Sequence, residues 1–373
     1  MMIKKLFVKC DGKLVGTLAL TNDKKVAFQY YDEWIENGFS ISPFSLPLDD
    51  KVRIPSKNHF NGLFGVFADS LPDSWGNLLL DRMMSRYNLN REEFSILDRL
   101  AVIGNNGMGL LTYEPVKDIG QNEIEDFTLD ELNIECEKIL KSIETDNVEQ
   151  IYKLAGSSGG ARPKVLLTKE GKNWIVKFSN TIDSKDSGLI EYEYFKCAKE
   201  CGINVPETRL YNSTLTSGYF GIERFDIIND KRIHMITVAG LLEVDFRSPC
   251  LDYKELIKLT KILSNEDDTY EMFRRMCFNV FSHNMDDHAK NFTFLYDEKS
   301  DKYRLSPAYD LTYSRTYYNE HTTSVNGKGK DITDEDLLKV GTLNYLNNDK
   351  CKKIITEVKN CVNKMLGKYI KKW

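Results

Sequence analysis

The chain has 373 residues, 41% hydrophobic and 29% charged, with 51 basic against 56 acidic side chains and a formal net charge of −5. That length allows two or three packed units, the charge balance argues against non-specific nucleic-acid binding as the main task, and no apolar run approaches the roughly 18 residues that span a membrane. The apolar run in MMIKKLFVKCDGK is too short for a signal peptide, so a cytoplasmic protein is expected. The eight cysteines include no CxxC pair, Cys197 and Cys201 being the closest. Reduced thiols without structural zinc are expected.

Residues 1–116 read as strands and then helices. KKLFVKC and KLVGTLAL flank Asp11-Gly12, a hairpin signal, and KVAFQYY reads as a further strand. DSWGNLLLDRMMSRY has helical spacing, with Asp73 or Ser74 as its N-cap. EEFSILDRLAVI predicts a second helix. GNNGMG, residues 104–109, looks like a phosphate loop, but the LLTYEP that follows reads as a strand. A dinucleotide fingerprint needs a helix there, so a turn using positive φ angles is expected. Residues 117–148 are acidic and read as a linker with one amphipathic helix from about Leu132.

From 149 to 245 the pattern is GSSGGARPK and then VLLTKEGKNWIVKFS, two strands joined at Glu170-Gly171. A helix, LIEYEYFKCAKECG, stops at Gly202, and TRLYNS and YFGIERFD read as strands. From 246 to 373 the chain turns helical, with DYKELIKLTKIL, DTYEMFRRMCFNVFSHN and a last helix. In that last helix Ile354, Ile355, Val358, Val362, Met365, Leu366 and Tyr369 form one apolar face. A strand-rich half before a helical half predicts an α+β protein of two lobes with a cleft between them.

HNMDDHAKN, residues 283–291, sets dense polar chemistry between two apolar segments. Asp286 and Asn291 stand five apart, FTFL begins a strand, YDEKSDK is its turn, and Asp310 follows the second strand. Protein kinases use this order: an Asp accepts the substrate hydroxyl proton, and an Asn and a later Asp hold Mg²⁺. The hairpin returns the second metal ligand beside the first, and Mg²⁺ takes few hard oxygen ligands from protein. The glycine-rich GSSGGARPK, with Gly159 and Gly160, suits backbone approach to phosphates. Lys177 shares a strand face with Ile175, where it would reach the α- and β-phosphates of ATP. GIERFD, residues 221–226, is placed to be the hinge gripping adenine.

Other readings compete at several positions. Asp286 and Asp287 rarely would share one job, and the five-residue spacing favours Asp286 as base. His283 and His288 could bind zinc with a carboxylate, but their spacing does not put both on one helix face. His288 more naturally orients the loop or touches nucleotide. Lys290 and Lys164 either brace or solvate their loops or add charge near phosphate. His234 is a hydrogen-bonded structural histidine by default.

GSSGGARPK, IERFD, RIHMITVAGLL, DDHAKNFTF and LSPAYDLT resemble the blocks of HipA-like serine/threonine kinases, the toxins of bacterial toxin–antitoxin pairs. FNGLFGVFADSLPDSWGNLLLDR and LAVIGNNGMGLLTYEP resemble that family's N-terminal segment. The resemblance implies a two-lobed kinase-like fold with an added N-terminal subdomain. It implies Asp286 as catalytic base and Asn291 and Asp310 as Mg²⁺ ligands. It also implies Lys177 on the ATP phosphates, and Glu223 with Phe225 bounding adenine through backbone groups. Ser157, or its neighbour Ser158, stands where the family carries an autophosphorylated serine that switches the kinase off. The resemblance further implies a protein substrate, an aminoacyl-tRNA synthetase in better-known members, and a small helix-turn-helix antitoxin through which DNA is bound indirectly. The expected activity is Mg-ATP-dependent phosphorylation of serine or threonine. The rivals are a non-catalytic kinase-fold corepressor or scaffold and a small-molecule kinase.

Overall fold

The computed structural model describes residues 2–90, 94–119, 126–157, 159–316 and 318–370. Its elements in chain order begin β1 (Lys5–Cys10), β2 (Lys13–Leu20), β3 (Val26–Tyr30), α1 (Asp32–Asn37), α2 (Gly65–Ala68), α3 (Ser74–Arg86), α4 (Ile96–Ile103) and β4 (Leu111–Glu114). There follow α5 (Leu129–Leu140), α6 (Val148–Ala155), β5 (Lys164–Lys169), β6 (Lys172–Lys177), α7 (Ser187–Glu200), β7 (Thr208–Tyr211) and β8 (Tyr219–Glu223). Next are the short β9 (Ile227–Ile228), β10 (Lys231–Arg232), β11 (Met235–Thr237), α8 (Val238–Leu242) and β12 (Leu251–Asp252). Last come α9 (Tyr253–Leu263), α10 (Glu266–Ser282), β13 (Thr293–Asp297), β14 (Lys302–Leu305), β15 (Thr323–Ser324), α11 (Asp334–Leu343) and α12 (Asn348–Ile370). Two compact units result: Met1–Gly188 with Leu210–Ile236 and Gly240–Glu243, and Leu189–Arg209 with Thr237–Ala239 and Val244–Trp373.

In the first unit the β1–β2 hairpin turns on Asp11 and Gly12, at φ 48° and 75°, as their turn chemistry predicts. Its sheet runs β3-β2-β1-β4, and alternate residues Leu6, Val8 and Cys10 are buried. A second sheet runs β5-β6-β8-β7. Val165 opposes Val176 in it, so Val165, Trp174, Val176 and Phe178 share the buried face. Lys164 opposes Lys177, and both therefore lie on the other face with Ile175.

That second sheet shares one core with α3, α5 and α6, including Trp75, Leu79, Leu132, Cys136, Ile139 and Ile151. Ile119 and the 129–148 part of the acidic stretch thus contribute to that core. Thr128 and Glu131 form a capping box at the start of α5, and its apolar stripe faces inward. The Asp130 carboxylate accepts hydrogen bonds from Thr214, Ser213 and Tyr219, which hold its pKa well below the usual range. Helix α6, absent from the sequence reading, has only eight residues. Isolated helices that short are marginal, and packing of Val148, Ile151 and Ala155 sustains it.

In the second unit α10 packs against both α9 and α12. Helix α12 buries Ile354, Ile355, Val358, Val362 and Leu366, while Met365 and Tyr369 are half-buried. Helix α7, which sequence order placed in the 149–245 segment, clusters with this unit. The Tyr369 hydroxyl donates to Glu193 on α7 at 2.6 Å, and the Tyr194 hydroxyl donates to the Ser282 carbonyl at 2.8 Å. Helix α11 also went unpredicted, although Thr333 and Asp336 carry a capping-box signal. The β13–β14 hairpin pairs Phe294 with Leu305 and Asp297 with Lys302. Among the described residues no helix is long and apolar enough to cross a membrane.

Candidate functional site

Helix α10 ends at His283, whose left-handed conformation (φ 56°, ψ 38°) hands the chain into the polar 283–291 loop. The two adjacent aspartates then separate. The Asp287 carboxylate is 0% exposed and accepts from the Tyr253 hydroxyl at 2.8 Å and the Thr323 N–H at 3.0 Å. His321 Nδ1 lies 2.9 Å from it, and the Thr323 hydroxyl donates to the Asp287 carbonyl. A carboxylate removed from water needs such partners. The Asp286 side chain, by contrast, is 59% exposed. Its backbone is held at both ends: the N–H donates to Ser314 Oγ at 2.9 Å, and the carbonyl accepts from Asn291 Nδ2 at 2.6 Å.

Asn291 closes a single 3-10 turn, its N–H donating to the His288 carbonyl at 2.8 Å. With its amide nitrogen on the Asp286 carbonyl, its oxygen remains as a hard donor. Asp310 follows the hairpin in the left-handed region, φ 52°. Asn284 ties these parts together. Its Nδ2 donates to Asn279 Oδ1 at 3.0 Å and to the Asp310 carbonyl at 3.4 Å, and its Oδ1 accepts from Ser314 Oγ at 3.0 Å. Asn284, Ser314, Tyr253 and His321 escaped the sequence reading because their partners are up to 34 residues away. Only the Asn and Ser types, able to bridge backbone groups, gave any signal.

His288 Nε2 lies 3.8 Å from the Asp286 carboxylate, and its ring packs 5.4 Å from Phe246. Lys290 Nζ sits 4.7 Å over the same Phe246 ring, a bracing position. Among the described residues His283 and His288 form no metal-sized group with a carboxylate.

In the first unit, among the described residues of the glycine-rich loop, Gly156 (57°) and Gly160 (99°) have positive φ. A Cβ on Gly159 would meet Asp73 Oδ2 at 2.8 Å, and one on Gly160 would meet Lys164 Nζ at 2.6 Å. Asp73, with Ser74 as the alternative, is an expected cap of α3. It stands at the N-cap, but its carboxylate accepts the Gly160 N–H at 3.0 Å and makes no cap bond. Lys164 is 4% exposed and donates to the Gly159 carbonyl. Its ammonium braces the loop from within. Ser157 is buried, and its Oγ accepts the Met108 N–H at 2.9 Å. Ser158 lies outside the described residues.

The partner loop is GNNGMG, which is a turn followed by β4, with Gly104 and Gly109 at φ 50° and 70°. Arg232 donates to the carbonyls of Asn105, Gly107 and Gly109, and the buried Asp226 accepts the Gly109 N–H at 2.7 Å. Arg224 pairs with Asp226 through two bonds, at 3.0 and 2.8 Å. Asp226 of GIERFD, held by Arg224, thus fixes this loop together with Arg232. Glu223 ends β8 opposite Trp174, with its carboxylate 2.9 Å from Lys172, and Phe225 is half-buried. Lys177 is half-buried, its Nζ 5.7 Å from the Phe220 ring. Arg162 pairs with Asp183 at 3.0 Å.

Comparison with known proteins returns two family models, a HipA-like C-terminal domain over residues 156–366 and a HipA N-terminal domain over residues 6–114. Two proteins of Sinorhizobium fredii (strain NBRC 101917 / NGR234) are similar along most of the chain. "Putative kinase Y4dM" is 24% identical over 354 residues, covering 86% of this chain and 80% of the relative. "Putative kinase Y4mE" is 24% identical over 365 residues, covering 89% and 83%. The fold resembles that of a chain in the Shewanella oneidensis MR-1 toxin–antitoxin complex of HipA, HipB and operator DNA. That match has a TM-score of 0.74 at 18% identity and covers 98% of this chain and 90% of that one.

Proposed function

The chain belongs to the HipA family, and from that premise we propose that it is a serine/threonine protein kinase that uses Mg²⁺ and ATP. The observation that carries this reading is the contrast between the two aspartates. Asp287 is wholly buried and anchors the loop, while Asp286 presents an exposed carboxylate on a backbone fixed at both ends. An acceptor hydroxyl needs a reachable base in a pre-set position, which favours Asp286. Asn291 and Asp310 fit Mg²⁺, since both offer hard oxygens and the Asn291 amide is oriented by its bond to Asp286. Held by Asn291 and Asp310, Mg²⁺ would supply positive charge that offsets that of the phosphates. Lys177 and the Gly159–Gly160 loop would take the phosphates, and backbone groups of Glu223 and Phe225 the adenine. His288 would hold the base in place.

Autophosphorylation at Ser157, or at Ser158, would switch the kinase off. Ser157 is buried, and its Oγ accepts a backbone N–H. A phosphate of about −1.5 to −2 charge could not occupy that position, so the modified loop would leave its closed form. As the toxin of a pair, the protein would also bind a small helix-turn-helix antitoxin, and DNA through it. Incubation with γ-labelled Mg-ATP, alone and with a cell lysate, tests the activity. Label on the chain or on serine and threonine of lysate proteins, lost in Asp286→Asn, is the expected result. A folded protein that transfers no label would favour the scaffold reading, and label confined to small molecules would redirect the substrate class.

A further inference from the structure

Four of the eight cysteines sit as small buried apolar groups: Cys10, Cys136, Cys277 and Cys351 are each buried among core residues. Three others converge. Cys197 lies on α7, and Cys201 follows one turn later, its N–H donating to the Cys197 carbonyl at 2.9 Å. The four-residue spacing puts both on one side of that helix end. Cys361 lies on α12. The three Sγ atoms all fall within 4.8 Å of one another. Met365, one turn after Cys361, brings its Sδ to 3.8 Å from the Cys361 Sγ.

Sulfur is the only donor type in this group. A metal ion with bonds of about 2.3 Å to three coplanar sulfurs sets them about 4.0 Å apart, so the observed cluster needs sub-ångström closure at most. Cys197 and Cys201 are buried, whereas Cys361 and Met365 are half-buried and leave a route from solvent. Thiolate and thioether donors select soft cations, and structural zinc ordinarily requires four Cys or His ligands. The Arg274 guanidinium donates to the Cys201 carbonyl at 3.0 Å and lies 3.8 Å from Glu357 on α12, so a cation already borders the cluster. It would offset part of the negative charge that thiolates bring.

We propose that Cys197, Cys201 and Cys361 form a three-sulfur site for a soft d10 cation, matched best by Cu(I), which ties α7 to α12. Binding replaces thiol protons, which leave to solvent. The copper stays Cu(I), so no oxidant or reductant is consumed. Met365 flanks the solvent side of the site, its Sδ beside the Cys361 Sγ. The site is independent of the phosphoryl-transfer reading, since none of its residues belongs to that set.

The test is competition for Cu(I) against a chromogenic chelator, using full-length reduced protein without oxygen. Wild type should remove one equivalent, and so should Cys250→Ser, which alters the exposed cysteine. Cys361→Ser should bind more weakly by at least the roughly 100-fold that lesser outer-shell changes can cost. One equivalent should also raise the thermal midpoint of wild type but not of Cys361→Ser, and should protect Cys361 from alkylation. As a safeguard against misfolding, the alkylation measurement on wild type alone decides. Failure of folded wild type to take up Cu(I), uptake unchanged in a folded Cys361→Ser, or Cys361 alkylated at the same rate with and without Cu(I) would overturn the proposal. Stronger uptake of Zn(II) than of Cu(I) would overturn the choice of ion.

Discussion

Asp286 and Asp287 are covalent neighbours in opposite surroundings, one in water and one in a closed hydrogen-bond network. Their asparagine variants should therefore fail differently. Asp286→Asn should lose roughly 10²–10⁴ in phosphoryl-transfer rate while keeping its thermal midpoint and its ATP affinity. Asp287→Asn removes the charge that faces His321 and the Tyr253 hydroxyl. It should cost about 2–4 kcal/mol of stability, read as a shift in the denaturation midpoint, with activity falling only as the fold does. An inactive Asp287→Asn of full stability would exchange the two roles. Asp310→Asn should abolish transfer and leave the melting curve unchanged. Full activity in that variant would remove Asp310 from the metal set. Spacing alone favoured Asp286 over Asp287, because the kinase order of parts counts positions. Burial, which counts partners from distant segments, supplies an independent argument for the same choice.

At the scale of elements, two polar groups join segments that the sequence left unconnected. His234, just before β11, is buried, with Nε2 2.9 Å from the Ile41 carbonyl and its ring 5.3 Å from Phe39. Burial pulls its pKa down to about 4. The unfolded chain therefore binds the proton that the native state refuses, and stability contributed above about pH 6.5 is lost as pH falls towards 4. The full swing is about 3 kcal/mol. Glu243, pushed up to about 7 by burial, acts in the opposite sense: its stability contribution is present at low pH and lost as pH rises to about 7. Subtracting the His234→Gln curve from wild type isolates the histidine, and the difference should fall between about pH 6.5 and 4 and stop changing below that. Arg232 holds three carbonyls of GNNGMG. Arg232→Met should speed amide exchange at Met108 and Gly109 by an order of magnitude or more, whereas unchanged protection there would mean that the loop holds itself.

At the scale of the whole molecule, one buried cluster of the first unit draws together segments that sequence order divides among a subdomain, a linker and a lobe. Trp75 from α3 and Trp174 from β6 lie in the same buried cluster, with α5 and α6. Residues 1–116 expressed alone should therefore show no cooperative unfolding transition, because α3 would lose the apolar surface it packs on. Trp174→Ala should cost about 3–5 kcal/mol and should weaken α3 protection in hydrogen exchange, although 99 positions separate the two tryptophans along the chain. A cooperatively folded 1–116 fragment would restore the separate subdomain.

The local features were legible in the sequence because they are set by local chemistry. Asp11-Gly12 and Glu170-Gly171 turned the two hairpins through residues that accept positive φ. Gly202 stopped α7, and the 3.6-residue repeat in α12 named its buried face. The Asp286–Asn291 spacing and the hairpin before Asp310 were likewise readable, since a loop and a turn are continuous chain. Distance along the chain hid the rest. The short helix α6 forms through packing, the acidic stretch joins the core through Leu132 and Ile139, and Lys164 turns inward onto Gly159. The three-cysteine cluster needed Cys361 brought beside a pair 160 positions away. Such meetings depend on which faces the whole chain must bury together, and no window of sequence contains that information.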